Sequence, residues 1–240
     1  MTRLTTLADT EAVSRRAAVE IARRLESARR ERGVAHLALS GGTTPARTYE
    51  LLAGELTSWD GVEVWFADER CVGPQDAQSN FKLAQETLLE PAGIPPEQVH
   101  RMEGELGPAE GAERYTQTLE KHVRIRDGDL PVLDVVVLGI GPDGHVASLF
   151  PGAPTLDAGE QAICLPVRDS PKPPPERITL SMAVLRAARR CVLLATSAAK
   201  ADAIAAMLGE PSRHVPASLL RRDRLSVIVD DAAVPSAPRG

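Results

Sequence analysis

The spacing of apolar residues along the chain predicts an alternation of helices and strands. Between residues 10 and 32, apolar side chains recur every three or four positions with arginine and glutamate between them, and Gly33 follows. This period is typical of an amphipathic helix that ends at Gly33. The runs 34–40, 62–67 and 133–140 are apolar, too short for helices, and end in glycine or polar residues, which predicts buried strands. The same criteria predict further strands at 163–167, 178–180, 191–196 and 225–229. A second helix is predicted to begin with Thr44 as its cap and Pro45 in its first turn. Further helices are predicted to begin at Ser79 and at Pro108 and to cover residues 203–207.

Strands that alternate with helices in this way predict the fold class. Runs that are bulky on both faces suit parallel strands covered by helices on each side. We therefore predict an α/β protein with a doubly wound, mostly parallel sheet flanked by helices, and a small additional β-containing subdomain. Residues 1–240 are predicted to form a single domain, with fraying at 1–9 and 231–240. The proline-rich segment 170–176 is expected to be a stiff extended loop rather than a domain linker.

Composition and charge limit the class of protein. The chain has 240 residues, of which 43% are hydrophobic and 25% charged, with a net charge of -5; this is enough for a large core but offers no extended basic surface for nucleic acid. Its three cysteines, Cys71, Cys164 and Cys191, form no C-x-x-C pair, so neither a disulfide framework nor a zinc site is indicated. With no apolar stretch of membrane-spanning length and no secretory leader pattern, we expect a cytoplasmic protein without membrane or nucleic-acid partners.

Three predicted strands are followed by polar or glycine-rich segments, where open parallel sheets bind ligands. The first segment is LSGGTTP, in which Gly41 and Gly42 permit a tight turn and Ser40, Thr43 and Thr44 add hydroxyl groups. The helix that follows would direct N–H groups toward an anion. The alternative is a plain strand-to-helix turn with a threonine cap. The segment lacks the glycine and lysine pattern of a nucleotide P-loop.

The second segment, WFADERCV, places three charged residues directly after a strand. Arg70 can bind a phosphate or carboxylate through two parallel N–H groups, and Asp68 and Glu69 stand where a ligand edge would lie. The alternative is a surface ion pair among neighbouring charges. Cys71 beside Arg70 would be an activated thiol if the arginine lowered its pKa, but we expect a small buried apolar side chain.

The third segment, GIGPDGHVASLFPG, has a glycine pattern that resembles a dinucleotide fingerprint. Gly139, Gly141 and Gly144 follow a strand as G-x-G-x-x-G, but prolines at positions 151 and 154 leave no room for the long helix that a dinucleotide site requires. We therefore reject a dinucleotide site. What remains is a loop that presents His145 two residues after Asp143 at a strand end, a combination that favours a general base over a structural histidine.

Cations further along the chain complete the set of candidate residues. Arg168 and Lys172 flank the proline-rich loop, and Lys200 opens the helix after the strand 191–196, which is again an anion-binding position. Each of the three is otherwise ordinary solvated charge. The G-x-S-x-G and H-E-x-x-H patterns of serine hydrolases and zinc peptidases do not occur.

Taken together, LSGGTTP, DERCV followed by SNF, GIGPDGHVASLFP and SPKPPPERITLS resemble the 6-phosphogluconolactonase family, in the same order and over about residues 34–210. In the related glucosamine-6-phosphate deaminases the second motif reads D-E-Y and the third continues as A-F-N-E-P. Here Arg70 replaces the tyrosine and Ser148 to Pro151 replace F-N-E-P, so the resemblance is to the lactonase branch. Thr43 stands where many relatives have serine.

The resemblance implies an activity and roles for the candidate residues. The activity is hydrolysis of 6-phospho-D-glucono-1,5-lactone to 6-phospho-D-gluconate in the pentose phosphate pathway, with no cofactor and no metal, by a monomer or small homo-oligomer. His145 resembles the base that activates water, and Asp143 an active-site acid that either orients His145 or touches substrate. Arg70, Lys200 and the 40–44 loop resemble ligand contacts, chiefly for phosphate. Asp68, Gly141, Gly144, Arg168 and Lys172 are expected to line the same cleft.

Two alternatives remain open from sequence. One is a deaminase or isomerase that acts on an amino-sugar phosphate, which Arg70 and the ASLFP ending disfavour. The other is a catalytically silent sugar-phosphate sensor that keeps the fold and the phosphate loop, which the presence of both Asp143 and His145 disfavours.

Overall fold

A computed structural model describes residues 3–234, and its main sheet has six parallel strands. The strands of the described chain are β1 (Arg3–Leu7), β2 (Ala35–Leu39), β3 (Val62–Phe66), β4 (Asp68–Arg70), β5 (Arg126–Asp127), β6 (Leu130–Pro131), β7 (Val135–Gly139), β8 (Cys164–Val167), β9 (Arg177–Leu180), β10 (Cys191–Ala195) and β11 (Leu225–Asp230). The main sheet runs in the order β1-β11-β10-β7-β2-β3. The chain therefore winds outward from β2 to β3 and later crosses to β7 on the other side of β2. The predicted parallel α/β sheet is confirmed.

Helices flank this sheet. The α-helices are α1 (Thr10–Arg32), α2 (Thr43–Leu52), α3 (Asn80–Ala84), α4 (Pro108–His122), α5 (Met182–Ala187) and α6 (Ala201–Leu208). The first helix confirms the periodicity argument, because Asp9 caps its N-terminus and Gly33 ends it with φ 78°, a left-handed conformation that glycine adopts at little cost. Its apolar stripe of Val13, Ala17 and Ile21 is fully buried.

The start of α2 differs from the prediction. Gly42, with φ 115°, occupies the cap position, and no side chain caps this helix. The Thr44 hydroxyl instead shares a hydrogen bond of 2.8 Å with the Thr196 hydroxyl, so the predicted threonine cap is wrong. The helix N-terminus is left open toward the carboxyl ends of the strands, and Thr44 ties it to the segment that follows β10.

Two small antiparallel units accompany the main sheet. Strands β4, β9 and β8 form a three-stranded sheet in that order, and β5 and β6 form a short hairpin. The proline-rich loop connects β8 to β9, and α4 packs on both of these strands. The predicted small β-containing subdomain is confirmed, and it stands beside the carboxyl end of β3.

The N-terminal residues form structure where fraying was expected. Residues 3–7 form β1, which pairs in parallel with β11 from Arg3 opposite Ser226 to Leu7 opposite Asp230. Expected fraying is therefore corrected for this segment, because β1 pairs with a strand whose residues lie 223 positions later in the chain. At the other end, residues 231–233 form a 3₁₀ turn, and the remaining positions of the expected frayed termini, 1–2 and 235–240, lie outside the described residues.

The buried side chains fit this architecture. The apolar side chains of β2, β3, β7, β10 and β11 form one continuous cluster with those of α1 and α2. Between residues 3 and 234, no helix combines the length and the apolar character needed to cross a bilayer. The apolar core thus holds the sheet together, and the polar side chains of the candidate site lie at the carboxyl ends of its strands.

Candidate active site

A cleft of about 340 Å³ lies at the carboxyl ends of the strands, where β2 and β7 meet. This is the point where the winding of the sheet reverses, the usual ligand position in open α/β sheets. Of the residues predicted from sequence, the structure places these along its wall: Ser40, Gly41, Gly42, Thr43, Thr44, Asp68, Arg70, Gly141, His145, Lys172 and Lys200. Segments from five distant parts of the chain are therefore brought together as predicted.

His145 and Asp143 form a hydrogen-bonded pair at this cleft. The Nδ1 atom of His145 lies 2.6 Å from Oδ1 of Asp143, and the imidazole is 15% exposed. Because one ring nitrogen is occupied by the carboxylate, the other, Nε2, remains for contact with a ligand. Of the two roles expected for Asp143, this contact supports orientation of the imidazole.

The glycine loop makes this pair possible. A Cβ atom at Gly141 would lie 2.0 Å from Nδ1 of His145 and 2.3 Å from Oδ1 of Asp143, so only glycine leaves room for the two side chains. Gly144 has φ 80°, which other residues rarely adopt. Within the loop, the Gly141 amide donates to the carbonyl of His145 and the Gly144 amide to the carbonyl of Gly141.

The protonation states of the pair suit proton transfer. Burial lowers the pKa of His145, and Lys172 adds to this effect, while Asp143 opposes it without reversing it. Burial alone would raise the pKa of Asp143, but the hydrogen bond from His145 and the charges of His145 and Lys172 outweigh it, so the pKa lies below its usual value. At neutral pH the pair is thus a neutral imidazole beside a carboxylate, the form in which Nε2 accepts a proton.

Positive charge also gathers around the cleft. The N-terminus of α2 opens toward it, and the bond between Thr44 and Thr196 holds this helix beside the turn that leads to Lys200. Burial and the nearby charge of Lys172 lower the pKa of Lys200, while Asp143 opposes the shift. Two ammonium groups that repel each other beside a helix N-terminus favour a bound anion.

The three charged residues of β4 have different roles. Glu69 is buried, and its carboxylate accepts hydrogen bonds from the backbone amides of Arg70, Asn80 and Phe81 and from the Ser79 hydroxyl. It therefore ties β4 to the start of α3 and does not face the cleft. The alternative of a surface ion pair is wrong, since this carboxylate is fully engaged inside the protein.

Asp68 links the cleft to the loop that carries His145. It is 5% exposed, and its carboxylate accepts hydrogen bonds from the Ser148 hydroxyl at 2.8 Å and from the Asn80 amide at 3.2 Å. Ser148 belongs to the segment whose sequence separated the lactonase resemblance from the deaminases. Asp68 thus fixes that segment against β4 while facing the cleft.

Several polar atoms around the cleft are buried without a partner. Ser40 Oγ, Arg70 Nε and Asn80 Oδ1 have no hydrogen bond within the described part of the chain. Ser40 and Arg70 line the cleft, and Asn80 Oδ1 lies against Gly41. Buried groups in native proteins are nearly always satisfied, so these atoms indicate a polar ligand or water at this place.

The prediction that Arg168 lines the cleft is wrong. It is exposed and outside the cleft, whereas Arg177, which the sequence analysis did not select, is 5% exposed and lines it. The register of the small sheet explains the difference. Arg177 lies within β9 opposite Val167, the last residue of β8, whereas Arg168 follows the end of that strand and is exposed. Gly144 lies in the loop beneath the wall rather than on it.

Cys71 behaves as a structural residue. Burial raises the pKa of its thiol to about 12, and the charges of Glu176 and Glu69 act in the same direction. A protonated thiol is a poor nucleophile, in agreement with the prediction that Cys71 is apolar in function. Within residues 3–234, no three His, Cys, Asp or Glu side chains are placed to hold a metal ion together.

Comparisons with known proteins show which proteins the chain is similar to. A family model described as glucosamine-6-phosphate isomerases/6-phosphogluconolactonase matches residues 8–229. The 6-phosphogluconolactonase of Streptomyces coelicolor is 35% identical, with 96% of this chain and 93% of that protein covered, and the human 6-phosphogluconolactonase is 36% identical, with 82% and 78% covered. The structure of 6-phosphogluconolactonase from Trypanosoma cruzi superimposes with a TM-score of 0.86 at 25% identity, covering 97% of this chain and 96% of that one.

The fold extends to enzymes with a different activity. A monomeric glucosamine-6-phosphate deaminase superimposes with a TM-score of 0.80, covering 97% of this chain and 98% of that one, at 22% identity. At this level of identity the comparison shows a shared fold alone. This is the fold that the sequence resemblance predicted.

Proposed function

The chain belongs to the glucosamine-6-phosphate isomerase/6-phosphogluconolactonase family, and we infer from this membership and from its cleft that it is a 6-phosphogluconolactonase of the pentose phosphate pathway. The observation that carries the inference is the His145–Asp143 pair at a cleft that is also lined by Arg70, Lys172 and Lys200. A phosphorylated lactone needs both features: a base near its carbonyl carbon and positive charge at its phosphate.

For phosphate binding, we assign the N-terminus of α2 together with Lys200, with Lys172 and Arg70 adding positive charge around the same space. Thr43 and Thr44 offer hydroxyl groups at the helix start. The phosphate lies far from the reacting carbon, so its contacts hold the lactone in place and bring the carbonyl carbon to His145. Ser40 and Arg70 also line the cleft, and within these side chains Ser40 Oγ and Arg70 Nε are themselves buried.

For the reaction, we assign His145 as general base and then general acid. Nε2 removes a proton from water as the water oxygen attacks C1, and the carbonyl electron pair moves to oxygen. When this tetrahedral intermediate collapses, the bond between C1 and the ring oxygen breaks, and His145 returns its proton to the ring oxygen. The carboxylic acid formed at C1 then releases its proton to solvent, which gives 6-phosphogluconate, and none of these steps requires a metal ion or cofactor.

The amides of the glycine loop are poor candidates for the oxyanion donor. A loop amide is the natural expectation for such a site, but the Gly141 and Gly144 N–H groups already donate to carbonyls of the same loop. A donor for the oxyanion must therefore come from other groups that line the cleft around His145.

Kinetics with freshly prepared 6-phosphogluconolactone test the function. Product is followed by oxidation of 6-phosphogluconate in a coupled assay, and the enzyme-free rate is subtracted because the lactone also opens spontaneously. We expect His145→Ala to lose about 10²- to 10⁴-fold in kcat while still binding 6-phosphogluconate, and Arg70→Ala mainly to raise KM. Near-normal turnover of His145→Ala would exclude it as the base. Release of ammonia from glucosamine 6-phosphate would instead support the deaminase alternative.

A further inference from the structure

Arg177 is a buried arginine whose hydrogen bonds go to one loop. Its Nε donates to the carbonyl of Pro174 at 3.1 Å, and its Nη2 donates to the carbonyls of Lys172 at 3.0 Å and Pro173 at 3.2 Å. Only 5% of the residue is exposed. Carbonyls of a loop rich in proline have few N–H groups nearby to pair with, because proline has none. The guanidinium group supplies those donors, so it holds the backbone on which Lys172 is carried.

The same guanidinium also contacts the catalytic side of the cleft. Its Cζ atom lies 5.6 Å from the ring centroid of Phe150, over the ring face. The Phe150 ring in turn lies 4.6 Å from the imidazole of His145. The order of packing is therefore loop, Arg177, Phe150, His145. Arg177 is one contact from the loop and two contacts from His145, so it is well placed to set their relative positions.

We propose that Arg177 is a positioning residue that locks Lys172 and Phe150 in place around His145, so that the proline-rich loop and the catalytic pair act as one unit. This role rests on the proposed lactonase function. Arg177 transfers no proton in it and needs no contact with the substrate. Lys172 Nζ stands 3.8 Å from Oδ1 of Asp143, so a shift of the loop changes the charge felt by the pair.

The geometry of the donors distinguishes this role from that of a phosphate ligand. Nε and Nη2 are already used on three carbonyls, which removes the edge of the guanidinium that usually binds a phosphate oxygen pair. A lysine at this position keeps the positive charge but has no fork that reaches three acceptors. The substitution Arg177→Lys therefore removes the tether and leaves the charge.

The experiment compares Arg177→Lys and Arg177→Met with the wild type and with Arg29→Met. Arg29 is a matched control, since it is also an arginine that binds backbone carbonyls. Its Nη1 donates to the carbonyls of Ser58 and Asp60, which precede the start of β3 and lie outside the cleft. The pKa of each histidine is followed by NMR titration of the five histidine rings, and kcat, KM and thermal unfolding are measured in parallel. The NMR titration needs no substrate.

We expect both Arg177 variants to lose about 10- to 100-fold in kcat, the range in which a displacement near 1 Å falls, with KM changed less. Lys172 lowers the pKa of His145, so release of the loop should raise the His145 pKa in Arg177→Lys even though the charge is kept. Lys172→Met should raise it too, and the double variant should add little, because both changes remove the same contact. Arg29→Met should change only stability.

Two results would overturn the proposal. If Arg177→Lys keeps the wild-type kcat and His145 pKa while Arg177→Met raises only KM, Arg177 is a direct ligand of the substrate anion. If both variants fold with an unchanged His145 pKa and unchanged kcat, the loop is not held by Arg177. Should the wild type fail to hydrolyse the lactone, the proposed function fails, whereas the NMR titration still decides whether Arg177 positions Lys172.

Discussion

Gly141 offers the sharpest test of how the site is built. In the substitution Gly141→Ala, the new methyl group would lie 2.0 Å from Nδ1 and 2.2 Å from Cε1 of His145, and 2.3 Å from Oδ1 of Asp143, whereas ordinary contacts begin near 3.4 Å. The atoms in the way are side-chain atoms, so the protein can relieve the clash by moving the imidazole and the carboxylate by more than an ångström. That movement takes Nε2 away from the attacking water.

The expected loss follows from this displacement. A misplacement of about 1 Å costs on the order of 10²-fold in rate, which corresponds to about 2.7 kcal/mol of transition-state stabilisation. Stability should change far less, because no main-chain hydrogen bond has to break. We expect the variant to unfold within about 2–4 °C of the wild type, the shift that about 1 kcal/mol produces in a protein of this size.

The assay is the coupled lactonase measurement with subtraction of spontaneous opening, alongside thermal unfolding. Gly159→Ala is the matched control, since an added methyl group there meets nothing within 4 Å and its φ is not left-handed; its kcat should equal that of the wild type. A Gly141→Ala enzyme with native stability and full turnover would refute the view that His145 must keep its present place beside Asp143.

Two further predictions concern stability. Glu69→Gln should lower the free energy of unfolding by about 1–3 kcal/mol, because an amide cannot accept all the hydrogen bonds that the buried carboxylate receives; urea unfolding measures it, and an unchanged midpoint would show that these bonds contribute nothing. Acid should also destabilise the fold: His36 accepts a hydrogen bond from Trp65, His100 stacks on the same indole, and burial lowers the pKa of both imidazoles. Since the unfolded chain takes up protons near its usual histidine pKa of about 6.5 before the folded chain does, stability should be constant above that pH and fall below it, and a flat profile between pH 7 and 5 would contradict this.

The sequence was sufficient for the parts of the fold and site that depend on local signals. The helix before Gly33 and the position of His145 in its loop follow from periodicity and from glycines that permit unusual backbone shapes. The segments that line the cleft were predictable because the carboxyl ends of parallel strands all lie at the same end of the sheet. Neither step needed knowledge of which strands are neighbours.

The predictions that were wrong concern features that depend on pairing between distant residues. Strand β1 was expected to be frayed because its partner residues in β11 lie 223 positions away, and no local pattern reports such a pairing. Arg168 and Arg177 are equally charged and flank the same loop, so the sequence gives no reason to prefer either. Only the register of Val167 opposite Arg177 decides which arginine faces the cleft.

The pairing of β1 with β11 also determines the order in which the molecule can be completed during synthesis. Strand β1 has no hydrogen-bonding partner until β11 has been made, and Glu20 of α1 likewise accepts a hydrogen bond of 2.7 Å from the Ser226 hydroxyl of β11. Helix α1 can pack on α2 and β2 soon after they are made, whereas its contacts with β7, β10 and β11 wait for later synthesis. Loss of β11 would therefore leave β1 unpaired and expose the edge of β10.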